Sequence, residues 1–349
     1  MHESGNHTAH KKIITRLKLA FIVILTFASA PLYFKLNASN AQNQLSRTPI
    51  YSIWTSSAPR LNQLENSCLS GITYYIGWSK IEPSKGMYNF SELLKTLESA
   101  KKYDKKVNIA FLTGRWSPNW LYDIGAEATH WKHTDNYTAN DLDTPSIAPI
   151  PWDEVYRSSL FRMLEQASIE ISPYKEVINS ISITGGSNTN GIEMNFIASS
   201  DEMKKIGFTY ETYIKNWISI ISKFSATFAD YKLSLAVHTH FGPNRTADVS
   251  DRIIKNARIV LGDRLIVSAL AFTEDNWFKP GNLYADLYFK QPADSPKSLQ
   301  TMKTYSKPND EEGFHSMLNK ANSINPTWLE VWGVDADQYL NCAPGNNNL

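Results

Sequence analysis

The chain has 349 residues, 42% hydrophobic and 20% charged, a globular composition that excludes a wholly disordered, collagenous or coiled-coil chain. Its 35 Lys and Arg against 34 Asp and Glu leave a formal net charge of +1, so there is no basic excess for phosphates and nucleic acid is not an expected partner. The 10 Trp and 17 Tyr offer flat apolar faces with polar edges, which suit sugar rings as well as a large core.

In chain order, a polar stretch with Lys11, Lys12, Arg16 and Lys18 precedes an apolar run from Leu19 to Phe34. The small residues Asn37-Ala38-Ser39-Asn40-Ala41 follow. This is the order of a secretory signal, so residues 1–41 are expected to be a signal peptide cut after Ala41 or, uncut, an N-terminal membrane anchor over Leu17 to Leu36. Both alternatives put the remainder outside the cytoplasm, secreted or periplasmic in the first case and membrane-tethered in the second.

Residues 48–342 alternate strand and helix. Strands are expected at Ile50–Trp54, Ile72–Trp78, Val107–Thr113, Ile178–Gly185, Lys232–His238, Leu265–Phe272, Leu299–Thr304 and Thr327–Gly333. Helical periodicity marks Ser91–Tyr103, with Ser91 as its cap, then Val155–Ser172, Tyr210–Ala229, Val249–Leu261 and Asp310–Ser323. Eight such units predict an α/β fold, a (β/α)8 TIM barrel, with a doubly wound open sheet as the alternative. No G-x-G-x-x-G follows the first strand, which gives a dinucleotide fold little support. The polar residues 343–349 read as a flexible tail. Two long irregular stretches, Gly114–Trp152 and Glu274–Ser298, follow strands three and six and belong on the catalytic face of a barrel. Cys68 and Cys342 are too few for a four-Cys zinc site. Barrel topology brings them together, so they form either a disulfide or two buried thiols.

One segment is distinctive: Gly77-Trp78-Ser79-Lys80-Ile81-Glu82-Pro83-Ser84-Lys85-Gly86-Met87-Tyr88-Asn89-Phe90. It resembles the second β/α unit of barrel glycoside hydrolases of the β-galactosidase-like, family-42-like type, and Lys105-Lys106-Val107 follows where that family has its next strand. Ser117-Pro118-Asn119-Trp120-Leu121, Pro151-Trp152-Asp153 and Leu329-Glu330-Val331-Trp332 are similar to later segments of such barrels. The resemblance implies a glycosidase without cofactor, acting on a carbohydrate. It also implies an acid/base Glu in an Asn-Glu pair after strand four and a nucleophilic Glu after strand seven. This chain departs at both places. Strand four runs on as Gly185-Gly186-Ser187-Asn188-Thr189-Asn190-Gly191-Ile192-Glu193, and strand seven carries no carboxylate.

Glycoside hydrolysis needs two carboxyl groups across the scissile bond. Glu193, on the loop leaving strand four, is the candidate acid/base; a solvated loop acid is the alternative. Glu330 is the candidate nucleophile or base. Strand alternation puts it on one face with Trp328 and Trp332, toward the barrel axis, and a structural ion pair is its alternative role. Glu82 reads as the cap of the turn before Pro83, and Asp335 and Asp337 as caps of the last short helix. Glu274 and Asp275 are candidates for sugar hydroxyls or for a replacement carboxylate. His238 and His240 share a face of strand five and suit hydrogen bonding to substrate or a carboxylate. They lack a third ligand, so no metal is expected. His130 and His133 read as solvated. Arg115 is placed to hold a sugar hydroxyl or carboxylate, or to pair with Glu330 or Glu193. Trp78, Trp116 and Trp120 are candidate stacking platforms, and Asn188 and Trp332 complete the candidate sugar-binding set. The leading expectation is cleavage of an O-glycosidic bond of an oligo- or polysaccharide. The rivals are a non-catalytic carbohydrate-binding barrel and a membrane-tethered partner in surface-polysaccharide assembly.

Overall fold

A computed structural model describes residues 48–55, 60–131, 146–340 and 342. The expected signal or anchor, His133 and the expected tail lie outside the described residues. Among the described residues no helix is long and apolar enough to cross a membrane.

Eight parallel strands close a barrel: β1 (Ile50–Thr55), β2 (Gly71–Gly77), β3 (Lys106–Leu112), β4 (Ile178–Ser182), β5 (Leu233–Ala236), β6 (Leu265–Phe272), β7 (Lys297–Thr301) and β8 (Trp328–Trp332). Each pairs with its neighbour in sequence, and β8 returns to β1 with Tyr51 beside Glu330. The open-sheet alternative is thereby excluded. The main outer helices are α1 (Ser91–Lys102), α2 (Glu154–Ile171), α3 (Tyr210–Thr227), α4 (Asp248–Leu261) and α5 (Glu311–Ile324). Their starts follow from short polar side chains that accept the first free amides: Asp153 from Tyr156 N–H at 2.8 Å, Thr209 from Thr212 N–H at 3.0 Å and Asp310 from Gly313 N–H at 2.9 Å. Ser91 is not the cap of α1. It is the first helical residue, and Asn89 Oδ1 accepts its N–H at 3.1 Å.

Alternation along each strand sorts the core. Outward residues such as Ile72, Ile109, Leu235, Leu299, Leu329 and Val331 pack under the helices in one large cluster. The inward residues form layers. Tyr51, Ile266 and Trp328 cluster toward the N-terminal ends of the strands. Ile53, Tyr75, Ala110, Leu112 and Ile192 cluster toward the C-terminal ends, with Leu270 and Trp332 packed against them. Between these lies a polar belt. Ser182 and Ser234 share a hydrogen bond at 3.0 Å, Ser268 and Ser298 another at 2.7 Å, and Asn108 accepts from Asn179 and Ser180 at 2.8 Å each.

Two features frame the mouth. The distinctive segment after β2 is a knot tied by Glu82. Its carboxylate accepts Trp78 Nε1–H at 2.9 Å and Gly86 N–H at 2.8 Å, while its carbonyl accepts Trp120 Nε1–H at 2.9 Å. Gly86 turns there with φ +76, a conformation that favours glycine. Glu82 is thus a turn cap, as the sequence suggests. The long stretch after β3 holds a two-stranded hairpin, Ala128–Trp131 against Ser146–Pro149. Elsewhere, Cys68 and Cys342 are joined as a disulfide with Cα atoms 5.6 Å apart.

Candidate active site

Glu193 reaches the barrel by a detour. After β4 the chain leaves at Thr184 and loops through Gly185–Gly191. The loop is closed by Gly185 N–H donating to Gly191 O at 3.0 Å. It then re-enters the sheet, with Glu193 bridged in parallel to Ala236 and Met194 N–H donating to Ala236 O at 3.0 Å. A carboxylate eleven residues past Ser182 in sequence therefore stands directly above β4, beside β5. The detour is held from the strand-three side, where Thr113 N–H and Arg115 N–H donate to Asn190 O at 3.1 Å and Thr189 O at 3.0 Å. Gly191 has φ +83, and a Cβ there would lie 1.8 Å from Thr113 Oγ1.

The Glu193 side chain is half-buried. Asn190 Nδ2 donates to its Oε2 at 2.9 Å, and Asn190 Oδ1 accepts Glu193 N–H at 3.2 Å. Burial raises its carboxyl above the usual carboxylate range, against the opposing pull of the Asn190 amide and the charge of His240.

Glu330 lies deeper, 7% exposed, in the polar belt. Its Oε1 accepts Trp328 Nε1–H at 2.9 Å and Asn108 Nδ2–H at 3.1 Å. Burial raises its carboxyl too, and the donors Trp328, Thr73 and Asn108 pull it back. No ion pair to Glu330 or Glu193 is formed among the described residues. Tyr75 links the two regions. Its hydroxyl donates to Gln300, which sits beside Glu330 in the ladder. Burial first, then the charges of Glu330 and Glu193, raise its pKa well above the phenol range. Tyr75, Asn108 and Asn190 are absent from the sequence-derived set. Only the closed barrel brings Asn108 to Glu330 and Tyr75 to Gln300 beside it.

The other candidates divide. Trp116 is 42% exposed, packs on Gly77 at the end of β2, and carries the Arg115 guanidinium 5.5 Å above its ring. Trp332 is partly exposed beside a cavity of about 130 Å³ lined by Ile53, Trp54, Thr55, Arg60, Gly333 and Val334. His238 and His240 stand at the mouth with rings 5.0 Å apart, and His240 N–H donates to His238 Nδ1 at 3.1 Å. Burial, then Arg245, lowers His238 to about 4, so it is neutral near neutral pH. Trp120 is partly buried, its indole N–H spent on Glu82.

Four expectations need correction. Trp78 is fully buried, edge-on to Trp120 and bonded to Glu82, so no sugar can stack on it. Asn188 is fully buried and clamps the backbone of Ile197 through both amide atoms, at 2.7 and 3.0 Å, so it serves the loop and not a ligand. Glu274 is paired with Lys303 and accepts from the Tyr305 hydroxyl. Burial works to raise Glu274, but these two partners outweigh it and hold the carboxyl below its usual range. It is ionised and tied, not a free replacement carboxylate. Asp335, expected as a helix cap, instead accepts Tyr305 N–H and Ser306 N–H at 2.9 and 2.8 Å.

The fold is a closed (β/α)8 barrel with carboxyl groups at and below its C-terminal mouth. The model of the β-galactosidase family, glycoside hydrolase family 42, matches residues 52–166. The chain is thus family-42-like over β1 to α2, and both Glu193 and Glu330 lie beyond that span. The catalytic domain of a β-amylase from Paenibacillus polymyxa shares the fold, with TM-score 0.53 at 10% identity over 82% of this chain and 93% of that one. An exo-β-1,4-mannosidase from Opitutaceae bacterium strain TAV5 aligns with TM-score 0.48 at 11% identity, over 82% of this chain and 51% of that one. No curated protein matches by sequence.

Proposed function

We propose that this barrel is an exported glycosidase that cleaves an O-glycosidic bond of an oligo- or polysaccharide at the C-terminal mouth. Glu193 is the acid/base, and Glu330 is the second carboxyl, acting as nucleophile or base. The observation that carries this reading is the placement of two carboxyls in one barrel interior: Glu193 re-enters the sheet beside Ala236 at the mouth, and Glu330 lies in the belt beneath, held by Trp328 and Asn108. Protonated Glu193 gives its proton to the leaving oxygen as the bond breaks. The Asn190 amide and His240 then favour the carboxylate that remains. Glu330, held by Trp328 and Asn108, meets the positive charge that develops on the sugar ring. Export rests on the signal-like order of residues 1–41.

The test is Glu193→Gln assayed on aryl glycosides of graded leaving-group ability. We expect kcat to fall on the order of 10²- to 10⁴-fold for poor leaving groups and far less for dinitrophenolate, which needs no proton. An equal loss across the series removes Glu193 from the acid role. A folded Glu330→Gln with near-normal turnover removes Glu330.

The 7% exposure of Glu330 favours one alternative, a barrel that binds carbohydrate without cleaving it. Saturable oligosaccharide binding by a rigorously purified sample that releases no reducing ends would establish that alternative.

A further inference from the structure

We infer that the Lys303–Glu274 pair, just past the C-terminal ends of β7 and β6, is a clamp for two adjacent free hydroxyls of a sugar unit. This rests on the carbohydrate-site reading above and adds the class of sugar, one unsubstituted at two neighbouring carbons.

The pair stands on fixed backbone. β6 and β7 are still joined at their ends, where Met302 N–H donates to Phe272 O at 2.9 Å. Lys320 of α5 then donates to the carbonyl of Thr273, at 3.1 Å, and to that of Asp275, which holds the chain on either side of Glu274. After β7, the buried Asp335 accepts Tyr305 N–H and Ser306 N–H, and Tyr305 O accepts the Tyr339 hydroxyl at 3.1 Å. Tyr305 is itself fully buried and donates its hydroxyl to Glu274. The Glu274 carboxylate is thus aimed by two partners from the β7 loop, a neutral phenol and a charged amine.

The side chains nonetheless keep open valences. Lys303 is 40% exposed and Glu274 17%. The ammonium has three N–H donors, and Glu274 is its one hydrogen-bond partner among the described residues. Each Glu274 oxygen accepts one of these two bonds and has a lone pair left for another. An ion pair this exposed stabilises a fold little, and salt weakens it further. What the frame preserves is the position of a donor beside an acceptor at the strand ends, where a barrel binds its ligands. Trp332, whose indole N–H donates to Thr301 O at 3.1 Å, sets a partly exposed ring at the next strand end.

A single hydroxyl meets only half of such a pair. Two adjacent hydroxyls meet both halves: one accepts from the ammonium, the other donates to the carboxylate, and both bonds are charge-assisted. The pair has no net charge, so it selects hydroxyls by position and not a charged substituent. An alkyl or acyl group on the donating oxygen leaves Glu274 without its hydrogen.

The experiment uses the full chain with 4-nitrophenyl galactoside, glucoside and mannoside, each with its monodeoxy analogues. The variants are Lys303→Met, Glu274→Gln and Lys303→Arg. For the glycoside turned over best, removing either of two adjacent hydroxyls is expected to lower kcat/KM by roughly 10- to 100-fold in the natural chain. Lys303→Met costs the parent glycoside a similar factor, mostly in KM, and costs nothing more for the analogue lacking the hydroxyl that Lys303 serves. Glu274→Gln shows the same pattern with the neighbouring hydroxyl. Lys303→Arg keeps the charge and the pattern at reduced size, and it decides the case if Lys303→Met does not fold. Equal factors for the parent and every deoxy analogue mean that the pair only holds the loops together. That result overturns the inference and leaves the glycosidase reading intact. If no glycoside is turned over, calorimetric titration with galacto-, gluco- and manno-oligosaccharides decides. Binding that each variant weakens, and that methylation of the hydroxyls abolishes, sustains the inference while the glycosidase reading falls. Binding unchanged in the variants overturns the inference, and no binding by the natural chain overturns both.

Discussion

The two carboxyl regions are built by opposite means. Glu330 sits inside a strand, between Tyr51 and Gln300 in the ladder, and is held by side chains from β2, β3 and β8. Glu193 sits outside any regular strand, on the return of a loop, and is held by one amide from its own loop. The first environment is rigid, dry and shared with the fold. The second is an appendage, open to substrate, whose loss leaves the barrel whole. Both raise a carboxyl's pKa through burial, so titration alone does not separate them; packing does.

Several substitutions test that contrast, beginning with the most damaging. Gly191→Ala attacks the appendage at its hinge. Its φ of +83 and the 1.8 Å approach to Thr113 Oγ1 are expected to cost about 4 kcal/mol or to throw the loop off the barrel. A chain that melts normally but has lost turnover would be the second outcome. Retention of both stability and activity would refute the loop's role in placing Glu193.

Next comes a paired truncation. Glu330→Ala strands the buried donors of Asn108 and Trp328 and opens a void, at about 3 kcal/mol, whereas Glu193→Ala should cost less than about 1 kcal/mol. Urea unfolding of the pair reads the difference, and equal losses would erase the distinction drawn here.

His238 gives a smaller effect with a defined sign. Its native pKa of about 4 lies below the 6.5 of an ordinary histidine. Its share of stability is therefore complete above about pH 6.5 and drains as pH falls toward 4, by roughly 3 kcal/mol. In His238→Asn the acid-side loss should shrink, and thermal melts across that window check it.

The smallest effect is at Asn190. Its amide favours the ionised form of Glu193, so Asn190→Ala should move the basic limb of the kcat/KM profile to higher pH, by up to about one unit. A shift to lower pH would contradict the assignment of Glu193 as the acid.

The barrel itself was legible in the sequence because each strand and each long helix carries its own period. Strand ends were less so. The β-rich runs after strands five and seven suggested longer strands, but the sheet stops at Ala236 and Thr301, where the chain turns into mouth loops. The role of Glu82 could be read because its partners are four residues away on either side. The fate of Trp78 could not, since burial depends on Trp120 and Tyr156 arriving from later units. Glu193 looked late in the sequence because distance along the chain conceals a closed detour. Its only local sign is the glycine at each end, Gly185 and Gly191, both with positive φ. Glu274 misled for the same reason as Trp78. Its tie to Lys303 spans 29 positions of sequence, and nothing near it announces the partner.

The Cys68–Cys342 bond spans 274 positions and meets the chain between β1 and β2 at one end and just after the β8 unit at the other. Docking of the eighth strand against the first brings the two thiols together, so the bond acts as a completion latch. Opening the seam between first and last strands then no longer frees the ends, and the chain-entropy account assigns such a loop roughly 5 kcal/mol. Comparing the rate of thiol loss in native buffer with that in denaturant would therefore report how far barrel closure speeds the bond, independently of any catalytic assay.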